Sequence, residues 1–312
     1  MATGKLGWPP SPKARVSLVQ LGAGGREAAI REAVELVGYP DVADKWVALK
    51  PNFNSAHPFP GSTHADALSI LVRLIKELGA SRVTVADRSG MGDSRQVMEE
   101  KGVFELAEAL QFEAIPLQDL PSTDWIHVEH PDLHWGQGFH LARVFRETDA
   151  IIQTCCLKTH RFGGHFTLSL KNSVGMVAKQ VPGIGHDFMQ ELHSSRYQRH
   201  MIAELNLAYE PAVVVMDAVD CFTDRGPEAG TVARPNVVLA STDRVAIDAV
   251  GVAILREKGT TEDVSRGKVF ELEQIARAVE LGIGVTGPEG IEIVTVDGES
   301  ERYADVLREI LR

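Results

Sequence analysis

The chain has 312 residues, 44% of them hydrophobic and 24% charged, a composition that excludes a disordered or fibrous protein. Its formal net charge of −11 gives no global field for nucleic acid, and Lys/Arg clusters interleaved with aromatics are missing. No stretch approaches the roughly 20 apolar residues of a membrane span and no signal-peptide core is present, so a cytoplasmic protein without a membrane partner is expected.

Residues 1–14, with three prolines, read as an irregular lead-in. RVSLVQL (15–21) reads as a strand, and 26–39 has helical spacing at Ala29, Ala33, Val34 and Val37. KWVALK (45–50) is a second strand, stopped by Pro51. THADALSILVRLIKELG (63–79) predicts a helix with Thr63 as N-cap, Asp66 completing a capping box and Gly79 at its stop. A strand over 81–87, a helix over 94–110 interrupted near Gly102, and a strand over 112–117 follow. HVEHP and FHLARVF have the character of short strands. AIIQTCC (150–156) is a buried strand, 186–210 one or two helices, and AVVVMD (212–217) and NVVLAS (236–241) strands. Residues 243–259 predict a helix capped by Thr242 or Asp243, 269–284 another, 291–297 a strand and 302–312 a closing helix. Strands alternating with helices predict an α/β fold of mainly parallel sheets with helices on both faces. Two lobes, about 15–145 and 146–312, around a cleft fit that order.

Between Ala150 and His186, 37 residues pass without an Asp or Glu, where composition predicts about five. The segment instead holds Lys158, Thr159, His160, Arg161, His165, Thr167, Ser169, Lys171, Asn172 and Lys179, with Gly163-Gly164 as a flexible turn. Such a cationic, donor-rich stretch suits an anionic small molecule. Lys50-Pro51-Asn52-Phe53-Asn54 and Asp87-Arg88-Ser89-Gly90 fall at other strand ends, where parallel sheets bind ligands. So does Asp217 with Asp220, Asp224, Gly226 and Pro227; three acids there could hold a hard cation or orient a lysine. His186, His193 and His200 lie seven apart and would share one face of a continuous helix. Cys155, Cys156 and Cys221 have no CxxC spacing and read as buried thiols. Gly22-Ala23-Gly24-Gly25 fails the dinucleotide pattern, because Glu27 stands at the third glycine position and Lys50 ends the second strand.

The blocks VALKPNFN (47–54), DAIIQTCCLKTH…LSLKNSVGMV (149–177), VVVMDAVDCFTDRGPEAG (213–230) and VVLASTDRVAIDAVG (237–251) resemble the family catalogued as domain of unknown function 362. The resemblance implies that Lys50, Pro51, Asn52, Lys158, Thr159, His160, Lys171, Asn172, Asp217, Gly226 and Pro227 form a shared site, without implying a reaction. Many members carry a four-cysteine iron–sulfur module; this chain has no such run, so no cluster is expected. A distant similarity to the nickel-pincer lactate racemase fold implies two α/β lobes around a histidine- and lysine-lined cleft.

Three functions fit these residues. The first is an enzyme acting on a small carboxylate or phosphate metabolite. Lys50, Asn52, Asn54, Thr159, Lys171, Asn172 and Gly226 would bind the substrate, and His160, as near-neutral acid/base, would act with Lys158 and Asp217. The second is a metal-dependent enzyme, with a divalent ion on His160, His165 and His193. The third is a non-catalytic metabolite-binding protein.

Overall fold

The structure is a computed structural model describing residues 13–162 and 165–312; residues 1–12 of the lead-in expected over 1–14 and the Gly163-Gly164 turn lie outside it, and Ala14 already belongs to the first strand. In chain order the strands are β1 (Ala14–Gln20), β2 (Trp46–Lys50), β3 (Arg82–Asp87), β4 (Glu113–Pro116), β5 (Trp125–Val128), β6 (Phe139–Ala142), β7 (Ala150–His160), β8 (His165–Thr167), β9 (Val213–Phe222), β10 (Val232–Ala233), β11 (Val237–Ser241) and β12 (Ile291–Val294). Ten of these form one sheet along the path β12-β1-β11-β9-β7-β2-β3-β4, with β8 on β7 and β10 on β9; β5 and β6 pair separately. Strands β9, β7, β2, β3 and β4 run parallel, while β11 is antiparallel to both β9 and β1. The α/β class therefore holds, as a mainly parallel mixed sheet. It runs without a break across residue 145, since β7 pairs β2 and β1 pairs β11.

Each face is covered because the strands present apolar side chains to both sides. On one face Val47, Leu49, Val83, Val85, Val213 and Val215 pack with helices Gly25–Val37 and Ala65–Glu77. On the other, Leu18, Leu157, Met216 and Leu239 meet the helix Arg244–Glu257. Ala48, Ala86 and Ile151 on that side pack with β6 and the helices Phe188–Ser194 and Gln198–Leu205.

Several local expectations are corrected by competing hydrogen bonds. His64, not Thr63, caps the second helix, because the Thr63 hydroxyl accepts the Asn52 amide at 2.8 Å. The last helix starts a turn early, at Gly298, because Asp297 captures the amides of Glu299 and Ser300 at 2.8 Å. The helical break near Gly102 occurs as expected, with that glycine at φ 68°. The helices around His193 are separate, so His186, His193 and His200 do not share a face; His186 instead meets Glu191 at 2.7 Å.

Candidate functional site

Strand β7 runs to His160, four residues further than its apolar core, because β8 pairs with it: Lys158 opposes Thr167, Thr159 opposes Phe166 and His160 opposes His165. Lys158, Thr159 and His160 are thus strand residues rather than the start of a loop. From the β7–β2 pair the chain continues outward to β3 and β4 on one side and to β9 on the other. That divergence is the switch point at which parallel sheets leave a crevice.

A cavity of about 750 Å³ opens there, lined by Asn54 after β2, Arg88 and Gly90 after β3, His160 at the end of β7 and Pro227 after β9. Lys171, Lys179, Met189 and His193 close it from the other side. A chamber of about 30 Å³ continues inward, bounded by Lys50, Asn52, Asp87, Thr167 and Asn172; Asn54, Arg88 and Lys171 border both spaces. A hollow of about 670 Å³ at the opposite edge of the sheet, by Ala14 and Ala150, contains none of the expected site residues.

The chamber floor is a fully bonded polar network. The Lys50 ammonium is 1% exposed and reaches Asp87 Oδ1 at 2.8 Å, Asn172 Oδ1 at 2.9 Å and the Pro51 carbonyl at 2.5 Å. Burial pulls the Lys50 ammonium below its ordinary range and pushes the Asp87 carboxyl above its own, while their contact opposes both shifts. Asp87 also accepts the amides of Phe53 at 2.6 Å and Arg88 at 2.8 Å. The Asn172 amide donates to the Thr154 carbonyl at 3.0 Å, and Asn52 Nδ2 to Asn172 Oδ1 at 3.4 Å. Lys158 is wholly buried, giving its three protons to Asn52 Oδ1 at 2.7 Å, the Pro60 carbonyl at 3.1 Å and the Gly61 carbonyl.

Lys171 differs from both. Among the described residues its ammonium has no hydrogen-bond or ion-pair partner. Burial, with Arg199, Lys158 and Arg88 nearby, lowers its pKa to about 7. Two further donors on the inner chamber are unpaired among the described residues: buried Asn54 Nδ2 and Thr167 Oγ1. His160 is 5% exposed, and its Nδ1 donates to the Phe162 carbonyl at 3.3 Å. Burial, with Lys171 and Arg199, drives its pKa far below the usual imidazole range, so it stays neutral. The near-neutral pKa expected of His160 sits on Lys171. His193 Nδ1 donates to the Met189 carbonyl at 2.6 Å, and burial lowers its pKa too.

Other expected members lie apart from the cavity. Asp217 pairs with Arg26 at 2.7 Å, and Arg26 in turn lies 5.2 Å from the Phe59 ring centroid. Gly226 gives its amide to Asp224 and its carbonyl to Arg161, and a Cβ there would overlap the Thr159 carbonyl. Its place is a close backbone approach to β7, outside the lining of both spaces. Thr159 is fully buried and His165 partly so, both outside the cavity lining. Among the described residues no three His, Cys, Asp or Glu side chains converge as a metal site, so His160, His165 and His193 do not form the expected ligand triad. No described helix is long and apolar enough to cross a membrane.

The family model described as "Domain of unknown function (DUF362)" matches residues 47–253, a span holding every residue of the cavity and the network beneath it. The chain belongs to this family. No curated protein matches it. Among solved structures, this DUF362 chain is similar to the lactate racemase apoprotein from Thermoanaerobacterium thermosaccharolyticum, at 13% identity and TM-score 0.46, over 98% of this chain and 88% of that one.

Three structural contributors in the DUF362 chain, Gly175, Arg199 and Asp248, escaped the sequence reading, and Arg88, expected only as part of a strand end, gains a defined role. Gly175 leaves room for the floor, since a Cβ there would overlap Asp87 Oδ1 and stand 2.8 Å from Lys50 Nζ. Arg199, 3% exposed, projects its charge toward His160 and Lys171. Asp248 accepts the amides of Ser169 at 2.8 Å and Leu170 at 3.0 Å, holding the turn that carries Lys171. Arg88 binds the carbonyls of Ser89, Val174 and Val177, fixing the wall around Gly175. Arg88 had a local signal, its position after β3; Arg199 and Asp248 act from 28 to 79 residues away along the chain and Gly175 through the absence of a side chain.

Proposed function

We propose that this DUF362 protein is an enzyme acting on a small metabolite that carries a carboxylate or phosphate group. The single observation behind this reading is the set of unpaired donors, Asn54 Nδ2, Thr167 Oγ1 and the Lys171 amine, bordering one small chamber. The buried Asn54 Nδ2 and Thr167 Oγ1, without partners among the described residues, cost about 1–3 kcal/mol each, and an oxyanion would satisfy both while pairing with the half-buried Lys171 amine. Arg88, Lys171 and Lys179 make the lining cationic, while Asp187, its one acidic lining residue among those described, is already occupied as a helix cap for Met189 and Gln190. Apolar walls at Met91, Phe162, Val174 and Met189 suit the remainder of an organic substrate. Neutral His160 and the Lys171 amine supply proton-transfer groups beside the bound anion.

The test is a thermal-shift screen with small carboxylates and phosphates, followed by turnover assays on every stabilising compound. Binding should weaken at least tenfold in Thr167→Val and Asn54→Ala. If both variants bind the identified anion as tightly as wild type, the chamber is not its seat; binding without turnover would leave an anion receptor rather than an enzyme.

A further inference from the structure

We propose that the Lys171 amine is a nucleophile that captures a small 2-oxo carboxylate as an imine, with the carboxylate seated in the inner chamber. The proposal rests on the anion-site reading above and adds the reacting group and the substrate class. Three lysines approach this region, and two are closed. Lys50 and Lys158 each have three bonded acceptors, which leaves no free position on nitrogen for attack. Lys171 is unpaired and borders both the chamber and the outer cavity, so it stands at the opening between them.

The size of the chamber selects the head group. Its volume is about 30 Å³. One water needs roughly 10–15 Å³ measured this way, so the space holds about two to three oxygens, enough for a carboxylate and too few for the four of a phosphate group. Asn54 Nδ2 and Thr167 Oγ1, both unpaired among the described residues and both from the chamber lining, would be the donors to the carboxylate oxygens. The carbon attached to that carboxylate then lies at the opening, beside Lys171.

The surroundings keep the amine reactive. The groups facing Lys171 are His160 from β7, Lys158 from the same strand, Arg88 after β3, and Arg199 and His193 from the helices opposite. The acids lining the same spaces, Asp87 and Asp187, are engaged by Lys50 and by the amides of Met189 and Gln190, and burial with the nearby cations brings the pKa of Lys171 to about 7. The step balances without a redox partner. The nitrogen lone pair forms an N–C bond to the carbonyl carbon as the C=O π pair moves to oxygen. An amine proton passes to that oxygen, giving a carbinolamine. The nitrogen pair then expels the hydroxyl, which takes up one further proton and leaves as water, giving a protonated imine. His160, held neutral with its Nδ1 on the Phe162 carbonyl, adds no charge beside the amine, and the protons exchange with solvent through the outer cavity.

The experiment incubates the full chain with pyruvate and sodium cyanoborohydride at pH 7 and maps the adduct by peptide mass spectrometry. About half of an amine with pKa near 7 is neutral there, against roughly one in 3,000 for an ordinary lysine, so Lys171 should label on the order of a hundredfold faster than surface lysines. Lys171→Arg should abolish that fast label. Thr167→Val should slow it with pyruvate but not with acetaldehyde, which has no carboxylate. Equal labelling of surface lysines and Lys171 would overturn the proposal. Faster labelling by glyceraldehyde 3-phosphate than by pyruvate would overturn the carboxylate seat. If pyruvate raises the melting temperature without an adduct on Lys171, the imine is refuted and the anion site stands. If neither pyruvate, lactate nor inorganic phosphate binds, the anion site and the imine both fall.

Discussion

Lys158 Nζ donates to Asn52 Oδ1 at 2.7 Å, tying the buried end of β7 to the loop after β2. Both residues had the look of ligand-binding groups, and the contact consumes each of them. Lys158 therefore acts as a clamp on the loop over 52–61, which carries Asn54 to the cavity. Replacing it with Met leaves Asn52 Oδ1 and the Pro60 and Gly61 carbonyls unsatisfied in a dry site. Lys158→Met should cost about 3–5 kcal/mol in urea unfolding. Lys171→Met breaks no bond to a described residue and removes an amine whose burial opposes its charge, so it should leave stability at pH 7 unchanged or raised; similar losses in the two variants would contradict this division of roles.

The lowered pKa of Lys171 has a signature in stability. Its folded value is about 7, below the ordinary 10.5, so between those values the unfolded chain binds a proton that the folded chain does not. Stability from this group therefore rises as pH rises above 7 and levels off near 10.5, by at most about 1.4 kcal/mol per pH unit. Below pH 7 both states are protonated and the slope vanishes. Unfolding free energies of wild type and Lys171→Met at pH 6, 7, 8 and 9 should converge or cross in that direction. A difference that stays flat from pH 7 to 9 would place the amine in ordinary solvent.

Asp248 and Ser169 set the position of Lys171 without touching the cavity. The carboxylate spans two successive amides at the start of the short helix Ser169–Asn172, and burial pushes its pKa up to about 8 while those bonds oppose the shift. Asp248→Ala should expose two buried amides to loss of about 1–3 kcal/mol each and free the turn. Native-state hydrogen exchange should quicken at Ser169 and Leu170 first, and anion affinity should fall although no ligand contact is removed. Unchanged exchange at those two amides would refute the positioning role.

The strand ends were legible because the parallel alternation of strands and helices places functional groups at one edge before any contact is known. The acid-free segment likewise pointed to the cavity wall, through Lys171, Lys179 and His160. What the residues did not reveal is which of several equivalent-looking lysines is free. Lys50, Lys158 and Lys171 are distinguished only by acceptors from the loop over 51–61, from β3 and from Asn172, contacts up to 122 residues away. The partner of Asp217 was hidden for the same reason: Arg26 stands 191 residues earlier, in the helix Gly25–Val37. Strand β8 was missed because three residues carry too little periodicity, and its pairing lengthened β7.

The Lys50–Asp87 pair supplies the sharpest test of the chamber floor. Both groups are shut off from solvent, at 1% and 2% exposure, and 2.8 Å apart. Removing one charge strands the other where water cannot reach it, which costs about 3–5 kcal/mol, whereas removing both lifts that penalty. Asp87→Asn and Lys50→Met should each destabilise by that amount in chemical denaturation. The double variant should lose less than the sum by about 2 kcal/mol or more, a coupling expected for charges in direct contact. It should not return fully to wild type, because Asp87 also holds the amides of Phe53 and Arg88, which an asparagine oxygen satisfies only in part. Strict additivity of the two single losses would mean that the ion pair contributes nothing beyond its separate hydrogen bonds, and the floor would then owe its shape to Asn172 and Gly175 instead.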